Sequence, residues 1–184
     1  MAQLFAGTSG WAYPSWKPDF YPQKLAQKKF LAHYTTMLNT VEVNFTFRQL
    51  VKETTIQNWL AESPAHFRFG VKAHQVITHI KRLKGTEDFV PRFLATIEPL
   101  AAAGKLGPVL FQLPPNLKAD PTLLADCLRQ FATEFARQPN SGHTGGRVCV
   151  EFRHPSWLTE DVRLGRSGRI WVNALVRKVL RAVA

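Results

Sequence analysis

Thr40-Val41-Glu42-Val43-Asn44 alternates apolar and polar side chains residue by residue. In a strand, neighbours point to opposite faces, so Val41 and Val43 belong to one face and Glu42 and Asn44 to the other. The same design recurs along the chain. Phe67, Phe69 and Val71 oppose Arg68, Gly70 and Lys72, and Val109, Phe111 and Leu113 oppose Leu110 and Gln112. Val148, Val150 and Phe152 oppose Cys149, Glu151 and Arg153. With a first run at Leu4–Ser9, the expected strands are Leu4–Ser9, Thr40–Asn44, Phe67–Ala73, Pro108–Leu113 and Arg147–Arg153. Each has one greasy face, and its polar groups gather towards the C-terminal end of the other.

Helical periodicity fills the intervals. Phe30, Leu31, Tyr34 and Leu38 share a face, as do Ile56, Trp59 and Leu60, and Phe89, Phe93, Ile97 and Leu100. Asp120 before Pro121 predicts a capped helix start, followed by the stripe Leu124, Leu128, Phe131 and Phe135. Gln138–Gly146 reads as a loop. Alternating strands and helices indicate an α/β fold with a parallel sheet. An open sheet covered on both sides calls for apolar residues on both faces. A TIM-type β/α barrel places its polar strand ends in a mouth where ligands bind, and is the expected architecture, incomplete at about five β/α units.

Composition sets outer limits. The chain has 184 residues, 45% apolar, enough for one packed domain. No apolar run approaches the roughly 20 residues of a membrane span, and no leader pattern opens the chain. Cys127 and Cys149 cannot build a disulfide framework, so a cytoplasmic protein is expected. The net charge of +11 divides unevenly. Residues 1–162 hold 18 Lys/Arg against 13 Asp/Glu, and residues 163–184 hold 6 basic residues and no acid. The two stretches are therefore set apart: 1–162 as the barrel portion and 163–184 as a basic amphipathic tail with Trp171, Leu175, Val179 and Val183 on one side.

The residues expected to converge are Glu42, Asn44, Lys72, Gln112, Glu151 and Arg153, with Ser9 after the first strand and His154 after the fifth. One reading is a structural ion-pair network, Glu42 with Lys72 and Glu151 with Arg153. The other is a site in which Glu42 and Glu151 move protons and Lys72 acts as anion clamp, electrophile, base or Schiff-base nucleophile. Asn44 and Gln112 would then orient a substrate. His74, His79 and His154 near strand ends raise a metal, but no His pair has the i, i+4 helical spacing of a zinc peptidase and no metal site is assigned. No phosphate loop or nucleophile elbow marks a cofactor, which stays unknown. Trp11, Tyr13, Trp16, Phe20 and Tyr21 crowd the first loop, either as a small core or as a stacking platform.

Taken together, Gly7-Thr8-Ser9-Gly10-Trp11, Val41-Glu42-Val43-Asn44, Phe69-Gly70-Val71-Lys72, Thr78-His79, Gln112-Leu113-Pro114-Pro115 and Glu151-Phe152-Arg153-His154-Pro155-Ser156-Trp157 resemble the YecE-like family, also called domain of unknown function 72. The resemblance covers residues 4 to about 162 and implies a TIM-type barrel with no established reaction. Its recurrent polar positions coincide with the set above and add His79 and Trp11 as ligand-binding candidates. Arg48 stands where the family usually has tyrosine. Family-like sequence stops near Val162, so a truncated or frame-shifted product is expected. Three functions follow: an enzyme or enzyme remnant acting on a small polar or anionic ligand, such as a sugar or phosphate ester; a nucleic-acid-associated protein using the tail and loop aromatics; or a non-catalytic vestigial chain, with an unpaired sheet edge open to oligomerisation.

Overall fold

The alternating patterns become one parallel sheet in the order β1-β2-β3-β4-β5. A computed structural model describes residues 4–138 and 147–158. The strands are β1 (Gly7–Ser9), β2 (Thr40–Val43), β3 (Arg68–Lys72), β4 (Leu106–Gln112) and β5 (Val148–Glu151). The helices are α1 (Phe30–Met37), α2 (Phe45–Arg48), α3 (Glu53–Ala61), α4 (Val90–Ala102) and α5 (Pro121–Ala136). All five expected strands form, in chain order and mutually parallel, and β1 and β5 are the outer strands of the described sheet. The expected tail at 163–184 and most of the Gln138–Gly146 loop lie outside the described residues.

Strand parity decides what is buried. Val41, Val43, Phe69, Val71, Val109, Phe111 and Val150 are each at most 2% exposed. They join Leu31, Tyr34, Ile56, Trp59, Phe93, Ile97, Leu100, Leu124 and Phe131 of the helices in one apolar cluster. The opposite sheet face is different: Glu42, Gly70, Lys72, Leu110, Gln112, Cys149 and Glu151 are half-buried, and Pro108 is exposed. A parallel sheet ordinarily hides both faces. This one hides the face that its helices cover, which keeps the polar strand ends accessible.

Local chemistry accounts for the boundaries. The Asp120 side chain accepts the Leu123 N–H and caps α5, whose second requirement, a proline at the start, is met by Pro121. Strand β1 is shorter than expected. Leu4 and Phe5 are exposed, and the Asn39 side chain takes over as partner, accepting from Ala6 N–H and donating to Leu4 C=O. Gly7 begins the ladder because its backbone runs so close to Thr40 that a Cβ would sit 1.9 Å from the Thr40 carbonyl oxygen. Lys105 is buried; its ammonium donates to Leu60 C=O, Ser63 C=O and Ser63 Oγ, closing the C-terminal end of α3.

Tyr34 links helix to sheet. Its fully buried hydroxyl accepts from Thr8 N–H at 2.8 Å and donates to Thr40 C=O at 3.0 Å, tying α1 to β1 and β2. Burial raises its pKa. Tyr34→Phe keeps the ring and removes the hydroxyl that Thr8 N–H, Thr8 Oγ1 and Thr40 C=O share, so a loss of about 1–3 kcal/mol is expected. Urea melts check this through a lower midpoint at unchanged slope, and an unmoved midpoint would contradict it.

Candidate functional site

The polar ends of the strands meet along the C-terminal edge of the sheet in two hydrogen-bonded groups. The first sits on β1 and β2. Asn44 Nδ2 donates to Ser9 Oγ at 2.6 Å, and Ser9 Oγ donates to Glu42 Oε1 at 3.0 Å. Gly10 makes this placement. It continues the ladder by donating to Glu42 C=O, then turns with φ +82°, where any Cβ would meet the Tyr13 hydroxyl at 2.5 Å. Tyr13 in turn donates to Ser9 C=O.

The second group spans β3 to β5. Lys72 Nζ donates to Gln112 Oε1 at 2.7 Å, Gln112 Nε2 donates to Glu151 Oε2 at 2.7 Å, and Arg153 Nε donates to Glu151 Oε1 at 2.8 Å. Gln112 is thereby oriented from both sides: its oxygen faces a cation and its amide nitrogen faces an anion. Burial works against the Glu151 carboxylate, yet the hydrogen bonds from Gln112 and Arg153 and the charges of Arg153 and Lys72 prevail and hold its pKa below the ordinary glutamate value.

Of the two ion pairs in the structural reading, Glu151–Arg153 is present, and Glu42–Lys72 is not among the ion pairs of the described residues. Lys72 is instead held by a neutral amide oxygen and by the face of Phe47, with Nζ 4.4 Å from the ring centre. Desolvation lowers its pKa, opposed by Glu42 and Glu151 and assisted by Arg153. His79 stands edge-on to the same Phe47 at 4.9 Å, with Nδ1 2.8 Å from Thr78 Oγ1. Desolvation lowers its pKa too, and Lys72, Arg153 and Arg82 push in the same direction, so His79 feels three cations on this edge.

Other candidates have different surroundings. His154 Nδ1 accepts from Ser156 N–H and pairs with Ser156 Oγ, capping the turn Pro155–Trp157. Trp11 packs edge-on against Trp59, and Trp16 stacks on Tyr21 beside Phe20, the small-core arrangement of the loop aromatics. His74 is buried; its Nδ1 accepts from Val76 N–H. Among the described residues no group of three or more His, Cys, Asp or Glu side chains is arranged to hold a metal ion.

Two participants were not singled out as site residues from sequence. Phe47 enters through α2, a single turn after Asn44 that carries no periodic signal. Thr46, buried in the same turn, has its hydroxyl 2.7 Å from Lys72 C=O and 3.0 Å from Val43 C=O, fastening α2 across the ends of β2 and β3. A polar residue three places after a strand end, followed by an aromatic, is the one signal that marks them.

Known proteins share this arrangement of elements. The chain is 30% identical over 162 residues to the UPF0759 protein YunF of Bacillus subtilis, covering 85% of this chain and 52% of that protein. It is 28% identical over 157 residues to the UPF0759 protein YecE of Escherichia coli K12, covering 85% and 51%. The chain thus spans about half the length of these curated relatives. Among solved structures, the DUF72 family protein TM1631 of Thermotoga maritima superposes with a TM-score of 0.70 at 28% identity, over 87% of this chain and 59% of that one. EF0366 of Enterococcus faecalis, at 19% identity, TM-score 0.66 and coverage of 87% and 54%, shares the fold. No helix of the described residues is long and apolar enough to cross a membrane. The model of the family described as "Protein of unknown function DUF72" matches residues 5–174, running into the stretch set apart as a tail, and the chain belongs to that family.

Proposed function

We propose that the C-terminal edge of the sheet is the mouth of a TIM-type β/α barrel, represented here by about five units, and that this mouth binds a small polar, anionic ligand such as a sugar phosphate or other phosphate ester. The observation that carries the reading is the state of Lys72. Its ammonium is half-buried, turned towards the polar edge by Gln112, and held by no carboxylate ion pair among the described residues. An ammonium has three N–H donors. One goes to Gln112, which leaves donors for an anionic oxygen. Arg153 and Arg82 add positive potential beside His79, whose protonated form they disfavour, and an anion entering there offsets that charge.

The carboxylates then take separate roles. Glu151, paired with Arg153 and Gln112, is a fixed anion that orients its neighbours. Glu42, whose carboxylate receives only the Ser9 hydroxyl among the described hydrogen bonds, is the acid–base group on this edge. Asn44 sets the Ser9 hydroxyl by donating to it. Proximity and fixed dipoles are the means by which such a mouth would promote chemistry on a bound ester.

Lys72→Met separates this function from a counterion role. Methionine preserves much of the aliphatic stem, and the variant loses one charge-assisted hydrogen bond and the contact with Phe47. That costs about 1–3 kcal/mol, less than the roughly 3–5 kcal/mol of orphaning a buried ion-pair partner. Calorimetric titration with inorganic phosphate should show affinity falling at least tenfold in a variant that still unfolds cooperatively. Unchanged phosphate affinity, or its absence in the wild type, would contradict the proposal.

A second expectation concerns pH. A carboxyl with a lowered folded pKa contributes stability that is complete above its unfolded pKa and is lost as pH falls through the lower folded value. Glu151→Gln is therefore less stable than wild type at neutral pH, and the gap narrows steadily below the ordinary glutamate range. Urea melts of both proteins between about pH 3 and 7 read this. A gap independent of pH would show that Glu151 is not the charged hub of the edge.

A further inference from the structure

We infer that Lys72 is a carbonyl-reactive amine, forming a reversible Schiff base with an aldehyde or ketone borne on a small anionic molecule. The inference rests on the anionic mouth above and adds the chemistry of its ligand. Three features carry it. The Lys72 side chain lies at the end of β3 on the half-buried face of the sheet, opposite the face that the helices cover. Its position is held by Gln112, itself fixed by Glu151, and by the Phe47 ring, so the amine is presented in one place. Its polar partner is a neutral oxygen, which a carboxylate pairing would have replaced with a stabilising charge.

The groups facing Lys72 are the carboxylates Glu42 and Glu151, the cation Arg153, His79 when protonated, and the neutral Gln112 and Phe47. The carboxylates favour the ammonium; burial and Arg153 favour the free amine, and burial is the largest influence. The reaction balances without oxidant or reductant. The nitrogen lone pair attacks the carbonyl carbon, forming the C–N bond and a carbinolamine. Its hydroxyl takes a proton and leaves as water while the nitrogen supplies the C=N bond. One N–H proton passes from nitrogen to the carbonyl oxygen as the carbinolamine forms; Glu42, free of a cation pair among the described residues, gives the hydroxyl its second proton and takes back the remaining proton from the iminium nitrogen, so both hydrogens of the departing water come in net from the amine.

The probe is glyceraldehyde 3-phosphate with borohydride, which reduces the imine to a stable secondary amine, read by peptide mass spectrometry on the full chain. Lys72 is expected to label at least tenfold faster at pH 7 than the exposed Lys24, Lys28, Lys29, Lys52, Lys84 and Lys118. Its labelling rate should also reach its plateau at a lower pH than theirs. A Lys72 rate equal to or below those of the exposed lysines, or a coincident pH profile, overturns the inference. Inorganic phosphate added as competitor tells the two readings apart. Selective labelling that phosphate slows supports both, selective labelling that phosphate leaves unchanged supports the Schiff base against the anion mouth, and unselective labelling beside normal phosphate binding removes the Schiff base alone.

Discussion

The helices cover one face of a parallel sheet, and most of what is specific about this chain depends on that asymmetry. Val41, Val43, Phe69, Val71, Val109, Phe111 and Val150 meet the helices and are almost wholly buried. Since strand side chains alternate, burying these fixes the opposite orientation of Glu42, Lys72, Gln112 and Glu151. A slip of one residue would drive four polar or charged groups into the helical core, at a cost far above the net stability of an ordinary domain. The register of the sheet and the assembly of its polar edge are therefore one constraint.

That edge is balanced unevenly, and the imbalance gives it chemical character. Glu151 is satisfied twice over, by Arg153 and Gln112, while Lys72 has no carboxylate ion pair among the described residues. A structural network minimises such leftovers, because a half-buried charge without its counterion loses solvation and gains little in return. Sites that bind ions keep them, at some expense in stability. Phe47 is consistent with that design. Its ring shields Lys72 on one side and His79 on another, lowering the local dielectric without neutralising either group.

Much of this was legible from sequence, for identifiable reasons. Period-two alternation located β2 to β5 within a residue or two, and Asp120-Pro121 located the start of α5, because each signal has a single physical cause. Parity also placed Glu42, Lys72, Gln112 and Glu151 on a common edge. Distances were beyond it. Whether Glu42 pairs with Lys72 depends on how far apart their tips lie, and parity says nothing of reach. His154 looked like a ligand by position but serves its own backbone turn, a competition that short polar motifs regularly resolve in favour of local hydrogen bonds. Phe47 and Thr46 escaped notice because one helical turn has no periodicity to read.

One sheet edge, with Lys72 at its middle, is the proposed anion site. Backbone amide chemical shifts followed during titration with inorganic phosphate test it most directly, since they report location as well as affinity. An anion held there gives saturable shifts concentrated at Ser9–Gly10, Glu42–Asn44, Lys72, Gln112 and Glu151–Arg153, with the helical face unmoved. Shifts confined to other surfaces, or no saturable shift at the strand ends, would contradict it.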